Sequence, residues 1–215
     1  VIANTDLYQD LEQFIINMVK SLVFAIEAKD IYTRGHSERV SHYSELIGKQ
    51  LNLEKKALND LKWASILHDI GKIGLSARVL NNTHNRLSGE MLAEVHLHPL
   101  MGAAILQDVE LPAAVIDFVQ YHHEKMDGSG YPFGLKNYQI PLGAKIIRVA
   151  DCFDAITTDR PYQQRKSWIA ALAILRRISG TDLDPKLVTA FIADIKEKGL
   201  APQQPTFISL SSPAL

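Results

Sequence analysis

The sequence predicts an all-α fold, and three observations carry that prediction. Apolar residues recur at spacings of three and four through most of the chain. No stretch of useful length alternates apolar and polar residues as a half-buried strand would. The balance of 47% hydrophobic and 22% charged residues over 215 positions suits one compact core and gives no sign of disorder.

Leu7, Leu11, Phe14, Met18, Leu22 and Ala25, widened by Ile15, Val19 and Ile26, predict a helix over about residues 5 to 29. It serves either as the first core helix or as the continuation of a coiled coil from a partner domain. Further helices follow over about 37 to 51 (Val40, Ile47, Leu51) and about 54 to 70 (Leu58, Leu61, Ile66, Leu67), the second stopped by Gly71. Ser88 is placed to cap a helix running to about residue 97, and Pro99 and Pro112 suit the first turns of the next two. Apolar patterns over about 142 to 157 (Ile146, Ile147, Ala150, Phe153), 167 to 179 (Leu172, Leu175, Ile178) and 185 to 198 (Leu187, Val188, Phe191, Ile195) complete the series. Two segments resist a helical reading, NNTHNRLSG and EKMDGSGYPFGLKNYQIP. After Gly199 the tail, with Pro202, Pro205 and Pro213, reads as loose or as a short extended segment at TFISL.

The organisation expected is an N-terminal helical segment over 1–20, one domain over 21–199 and a tail over 200–215. A chain that opens on Val with helical pattern from its first residues reads as part of a longer protein, so an upstream regulatory domain is expected. With 23 Lys and Arg against 24 Asp and Glu, the formal charge of -1 provides no broad positive field for a nucleic-acid polymer or an anionic membrane. Any phosphate must meet a local site. The longest N-terminal apolar run, FIINMVKSLVFAI, has 13 residues and is split by Lys20, too short to span a bilayer, so no membrane segment is expected. A single cysteine, Cys152, excludes an internal disulfide and favours a reducing, cytoplasmic setting.

Chemistry concentrates in a few short stretches. LHDIGK sets His68 beside Asp69 at a helix end, with Lys72 one turn on. Adjacent His and Asp can reach one metal, and a carboxylate can bridge to a second. His36, His98, the pair His122 and His123, and Asp151 lie in GHSERV, HLHP, HHEKMDGSGYP and RVADCFDAI. Any one histidine on an apolar helix face is ordinarily a hydrogen-bonded core residue. Five histidines and two aspartates together exceed what one ion can use, which suggests two. In the loop after His123, Gly128, Gly130 and Pro132 are placed to set special backbone turns, and Asp127 and Tyr131 to organise them.

GHSERV, LHDIGK, HLHP, HHEKMDGSGYP and RVADCFDAITTDRPY occur in the order and spacing of the HD-GYP family, a branch of the HD phosphohydrolases, and from about Phe24 to Phe191 the chain resembles that family. The resemblance implies an HD-domain helical bundle of roughly seven or more helices with an irregular GYP loop. It also implies a bacterial signalling enzyme that hydrolyses cyclic di-GMP to linear pGpG, GMP or both. Carried over by position, it assigns His36, His68, Asp69 and Asp151 to one ion and Asp69, His98, His122 and His123 to the other, with Asp69 bridging. Two such ions lower the pKa of a water between them and withdraw charge from the phosphoryl oxygens. Asp69 and Lys72 are the expected catalytic residues, and Lys72, Arg160 and Tyr131 the expected substrate contacts. A His-rich shell with a bridging carboxylate favours iron or manganese over magnesium.

The family also implies that the GYP loop recruits a diguanylate cyclase domain, and it admits a dimer. Tyr32 stands where some members carry a glutamate for a third metal, which favours two ions here. Gln163 and Asn82 replace cationic positions, with Arg165 a candidate substitute. These losses keep open a second reading, a weakly catalytic or non-catalytic cyclic di-GMP receptor or cyclase-docking module, and a third, hydrolysis of another cyclic dinucleotide such as 3′,3′-cGAMP. His42, His84 and His96 are left outside the metal shell, and Glu27 and Glu124 are candidates to orient a ligand histidine.

Overall fold

The computed structural model describes residues 14, 17–19, 21–27, 35–80, 87–159 and 164–198. Residues 21–27 are helical and form α1. Then come α2 (His36–Gln50), α3 (Lys55–Leu67), a 3-10 turn (Ile70–Gly74), and the short α4 (Ala77–Leu80) and α5 (Gly89–Val95). After these come α6 (His98–Gln107), α7 (Ala113–Tyr121), a second 3-10 turn (Asn137–Gln139), α8 (Leu142–Thr157), α9 (Trp168–Arg177) and α10 (Pro185–Lys198). Among the described residues there is no strand beyond one isolated bridge between Ser179 and Leu183. The all-α expectation holds, and the α8 and α10 bounds fall where the apolar pattern put them.

Capping explains several boundaries. Ser88 Oγ accepts from the Met91 N–H at 3.2 Å, and Ser167 Oγ accepts from Ala170 N–H at 3.2 Å, each satisfying a donor that the first turn leaves unpaired. Pro99 lies in the first turn of α6 and Pro112 is the residue that precedes α7. The pattern overran α3 by three residues. That helix ends at Leu67, and the next turn tightens into the 3-10 segment carrying Lys72. Helix α4 was not anticipated, since four residues are too few to show a period.

Helix α8 is the organiser. Ile146, Ile147, Val149, Ala150 and Phe153 are all buried, so nearly its whole circumference is covered. It packs against α2, α7, α9 and α10, while α3 lies between α2 and α7, and α6 rests on α7 and the first 3-10 turn. Tyr43, Phe153 and Phe191 meet edge to face, with centroids 5.0 to 5.9 Å apart, at the junction of α2, α8 and α10. This arrangement turns the ends of α3 and α7, the starts of α2 and α6, and the middle of α8 toward one point. Residues 1–13, 81–86, 160–163 and 199–215 lie outside the described residues, as do Tyr32, Asn82, His84, Arg160 and Gln163.

Candidate metal centre

Three of the singled-out histidines use a helix end in the same way. His68 follows α3, His122 follows α7, and His98 lies three residues past Val95, the last residue of α5. Each ring folds back on the carbonyl three residues earlier, with Nδ1 2.8 Å from Ser65 O, 2.7 Å from Val95 O and 2.6 Å from Val119 O for His68, His98 and His122 respectively. The last carbonyls of a helix have no intrahelical donor, so the bond satisfies the backbone and commits Nδ1 as the N–H. The lone pair of a neutral ring is then on Nε2. His36 reaches the same state differently, with Nδ1 2.7 Å from Asp154 Oδ2.

These Nε2 atoms converge. His36 and His68 bring theirs within 3.3 Å of each other, and His98 and His122 within 3.4 Å. Asp69 lies between the two pairs and divides its oxygens: Oδ2 is 3.4 Å from His68 Nε2 and 3.7 Å from His36 Nε2, while Oδ1 is 3.3 Å from His98 Nε2. Asp151 Oδ1 is 3.4 Å from His36 Nε2. Within the cluster, Asp69, His98, His122 and His123 each offer a ligand atom such that all lie within 4.8 Å of one another, and so do His36, His68 and Asp69.

The donor set fits divalent ions. With Nδ1 committed as donor in all four rings, neutral imidazoles face each other acceptor to acceptor, and such pairs repel unless a proton or a cation lies between them. The electrostatics agree. Burial pulls His68 down, but Asp69 and Asp151 prevail and raise it to about 9, so the metal-free cluster draws in a proton. Burial, and after it the charge of neighbouring groups, holds His122 and His123 well below the usual imidazole range, which keeps both rings neutral. Burial alone would raise Asp69; Lys72 and His68 outweigh it and keep the carboxyl well below its ordinary range.

Lys72 is not the solvated lysine its polarity suggests: its Nζ lies 2.6 Å from Asp69 Oδ2. Behind it, the segment between α7 and α8 folds over the His122 side. Glu124 gathers the loop, accepting from Phe133 N–H at 2.7 Å and Leu135 N–H at 2.9 Å. Glu124 is thus a loop anchor, and its expected role of orienting a ligand ring is corrected. Its carboxylate is directed at backbone donors that the irregular loop leaves unpaired. Glu27 accepts from Gly35 N–H and Ser37 N–H, both at 2.8 Å, and fixes the backbone on either side of His36. Gly128 takes φ 83, and a methyl at Gly130 would run into the backbone of His123, Glu124 and Lys125. Asp127 accepts from Ser129 N–H at 2.8 Å, a local turn that keeps it in the loop. The Tyr131–Pro132 peptide is cis. Tyr131 lies over His123, rings 4.7 Å apart at 25°.

Sequence reasoning missed the residues that hold the ligands from behind. Asp154, buried, receives His36 and also the Arg39 guanidinium. It sits three residues after Asp151 on α8, a one-turn spacing that was readable. Arg148, one turn before Asp151, brings Nη1 within 3.2 Å of His123 Nδ1 while Asp182 holds its Nε and Nη2 at 2.9 and 2.7 Å. Asp182 comes from the α9–α10 loop, a contact that no local pattern announces. Arg165 lies beside Asp159, 3.7 Å away with both well exposed.

A family model described as an HD domain matches residues 16–187. The chain belongs to the HD domain family. Among characterised relatives of this HD domain, a cyclic di-GMP phosphodiesterase of Thermotoga maritima is 33% identical, covering 89% of this chain and 52% of that protein. A 3′3′-cGAMP-specific phosphodiesterase of Vibrio cholerae is 37% identical, covering 87% of this chain and 40% of that protein. The HD domain described here therefore spans about half or less of the length of the relatives it matches. A crystal structure of a cyclic GMP-AMP specific phosphodiesterase of V. cholerae shares the fold, with a TM-score of 0.65 at 22% identity over 83% of this chain and 48% of that one.

Proposed function

We propose that this HD domain, an HD-GYP domain by its motifs, is a metal-dependent phosphodiesterase that hydrolyses cyclic di-GMP to pGpG, GMP or both. The observation that carries the reading is Asp69, one oxygen turned to His36 and His68 and the other to His98, between two pairs of facing imidazole nitrogens. His36, His68, Asp69 and Asp151 would hold one divalent ion and Asp69, His98, His122 and His123 a second, with iron or manganese the metals that an imidazole-rich set suits. When bound, the ions supply a nucleophile from water at neutral pH and take up charge from the phosphoryl oxygens.

The chain's own residues do the rest. Carbonyl-anchored rings hold their lone pairs in fixed directions, so the centre needs little reorganisation when loaded. Lys72, beside Asp69, supplies a cation within reach of a phosphate oxygen and of the departing 3′ oxygen as the P–O3′ bond breaks. Tyr131 closes the His123 side, where a base of the substrate would meet it, and Arg160 provides a second phosphate contact. The domain works in the cytoplasm, where its nucleotide substrate is found; among the described residues no helix is long and apolar enough to cross a membrane. A diguanylate cyclase domain is the partner proposed for the GYP loop, and an upstream domain the source of regulation.

A second reading is hydrolysis of 3′,3′-cGAMP, favoured by the V. cholerae relative at 37% identity. One experiment separates these readings. Anaerobically prepared protein, supplied with ferrous iron or manganese, is given equal amounts of cyclic di-GMP and 3′,3′-cGAMP, and products are resolved by chromatography beside Asp69→Ala. Formation of pGpG or GMP by the unaltered protein alone supports the proposal, and faster loss of 3′,3′-cGAMP transfers it to that substrate. Both nucleotides intact with ions bound would overturn hydrolysis and leave a receptor.

A further inference from the structure

His123 differs from the other histidines of the centre. It lies beyond the end of α7, and its Nδ1 faces the Arg148 guanidinium, a donor, where His68, His98 and His122 each meet a backbone carbonyl. The helix-end bond that fixes those three rings is therefore not what fixes this one. Beside the Arg148 contact, its ring face is covered by a stack. Tyr131 lies on His123 at 4.7 Å and 25°, and His96 lies on Tyr131 at 4.0 Å and 16°. The backbone ties the same unit together, since Tyr131 N–H donates to His123 O at 3.3 Å.

His96 was left outside the shell because its position two residues before His98 turns it off the ligand face. The stack gives it another part. It is half-buried at the end of α5, and its ring is nearly parallel to that of Tyr131, which is also stacked on His123. A phenol stacked on two flat rings cannot tilt without losing contact with one of them, and aromatic pairs favour such offset-parallel contacts.

We propose that His96 is a positioning residue: with Tyr131 it clamps the His123 ring from its face and so sets the affinity of the second metal site, the one shared by Asp69, His98, His122 and His123. The inference rests on the two-ion reading above. It needs a flat ring at position 96 and no particular protonation state, so phenylalanine should serve there and alanine should not.

The test is calorimetric titration of the metal-free protein with Mn²⁺, without nucleotide, for the wild type, His96→Ala and His96→Phe, with folding followed by circular dichroism. The wild type is expected to take up two ions. His96→Ala should weaken one of the two binding steps about tenfold, within the range for groups that orient a ligand histidine, and leave the other unchanged. His96→Phe should bind like the wild type. An alanine variant that binds both ions as the wild type does overturns the clamp alone. A folded phenylalanine variant that fails to restore affinity also overturns it, by showing that imidazole chemistry and not the stack is needed, and this arm decides even if the alanine variant does not fold. A wild type that takes up one ion or none counts against the two-ion reading and the clamp together.

Discussion

Asp154 shows how much one buried carboxylate decides. It receives the His36 ring and the Arg39 guanidinium while almost fully buried. Burial alone would raise its pKa; the bonds from His36 and Arg39 outweigh that and bring it from 3.8 down to about 2. A carboxyl depressed in the folded state adds stability that is fully present above its unfolded value and is lost as pH falls through the folded one. Asp154 should therefore contribute about 2 kcal/mol in the metal-free protein, lost between about pH 4 and pH 2. Urea titrations at stepped pH should show the wild type losing more stability across that window than Asp154→Asn. The same variant removes the carboxylate that directs His36, so its Mn²⁺ affinity at neutral pH should fall by about tenfold or more, measured by calorimetry. Neither Asp154 nor Arg148 was singled out in the sequence. Each is one turn from Asp151 on α8, but a charged residue on a helix face is ordinarily solvated, and only the packing of α2 and of the α9–α10 loop against α8 shows otherwise.

At the scale of elements, the loop between α7 and α8 is the part most dependent on exact backbone placement. Two N–H groups on the Glu124 carboxylate, the Tyr131 bond to His123 O and the tight approach at Gly130 hold it over the centre. Gly130→Ala has no room for its methyl and should displace the loop, lowering turnover by at least tenfold while helical circular dichroism stays that of the wild type; an alanine variant of normal activity would show that the loop is not needed in this position. Helices were legible because their burial is one-sided and periodic, as in α8 and α10. The short α4 was not, since four residues carry no period, and the end of α3 was overrun because Ile70 continues the apolar spacing although the backbone has already tightened into a 3-10 turn. Glu27 and Glu124, only candidates to orient a ligand ring, hold backbone for a related reason. A carboxylate near a histidine in sequence suggests a partner for the ring, but unpaired backbone donors at a helix start and in a loop were nearer.

For the whole molecule, packing brings together groups that water would keep apart. His36, His68, His98, His122, His123, Asp69 and Asp151 come from five stretches of a 215-residue chain, and the packing of α2, α3, α6 and α7 holds four Nε2 atoms as two pairs 3.3 and 3.4 Å apart. Without a cation this is a cost to the fold, relieved in part by the proton that His68 attracts. A ligand that binds only the folded chain stabilises it by mass action, by about 2.7 kcal/mol at a hundredfold excess over its dissociation constant. Chelation should thus lower the unfolding temperature by several degrees, and Mn²⁺ should restore it. The same addition to Asp69→Ala should have a much smaller effect, because that variant lacks the carboxylate both groups share. The sequence could name these residues because the motifs are short and specific. It could not show that Asp69 divides its oxygens between two groups, which is a property of the assembled bundle.

That division is the centre of the account, and the measurement that tests it most directly is hydrolysis of cyclic di-GMP as a function of Mn²⁺ bound per chain, determined on the same anaerobic samples. Turnover that stays near zero through the first equivalent and rises with the second is the predicted result. Full activity at one bound ion, or none at two, would contradict it.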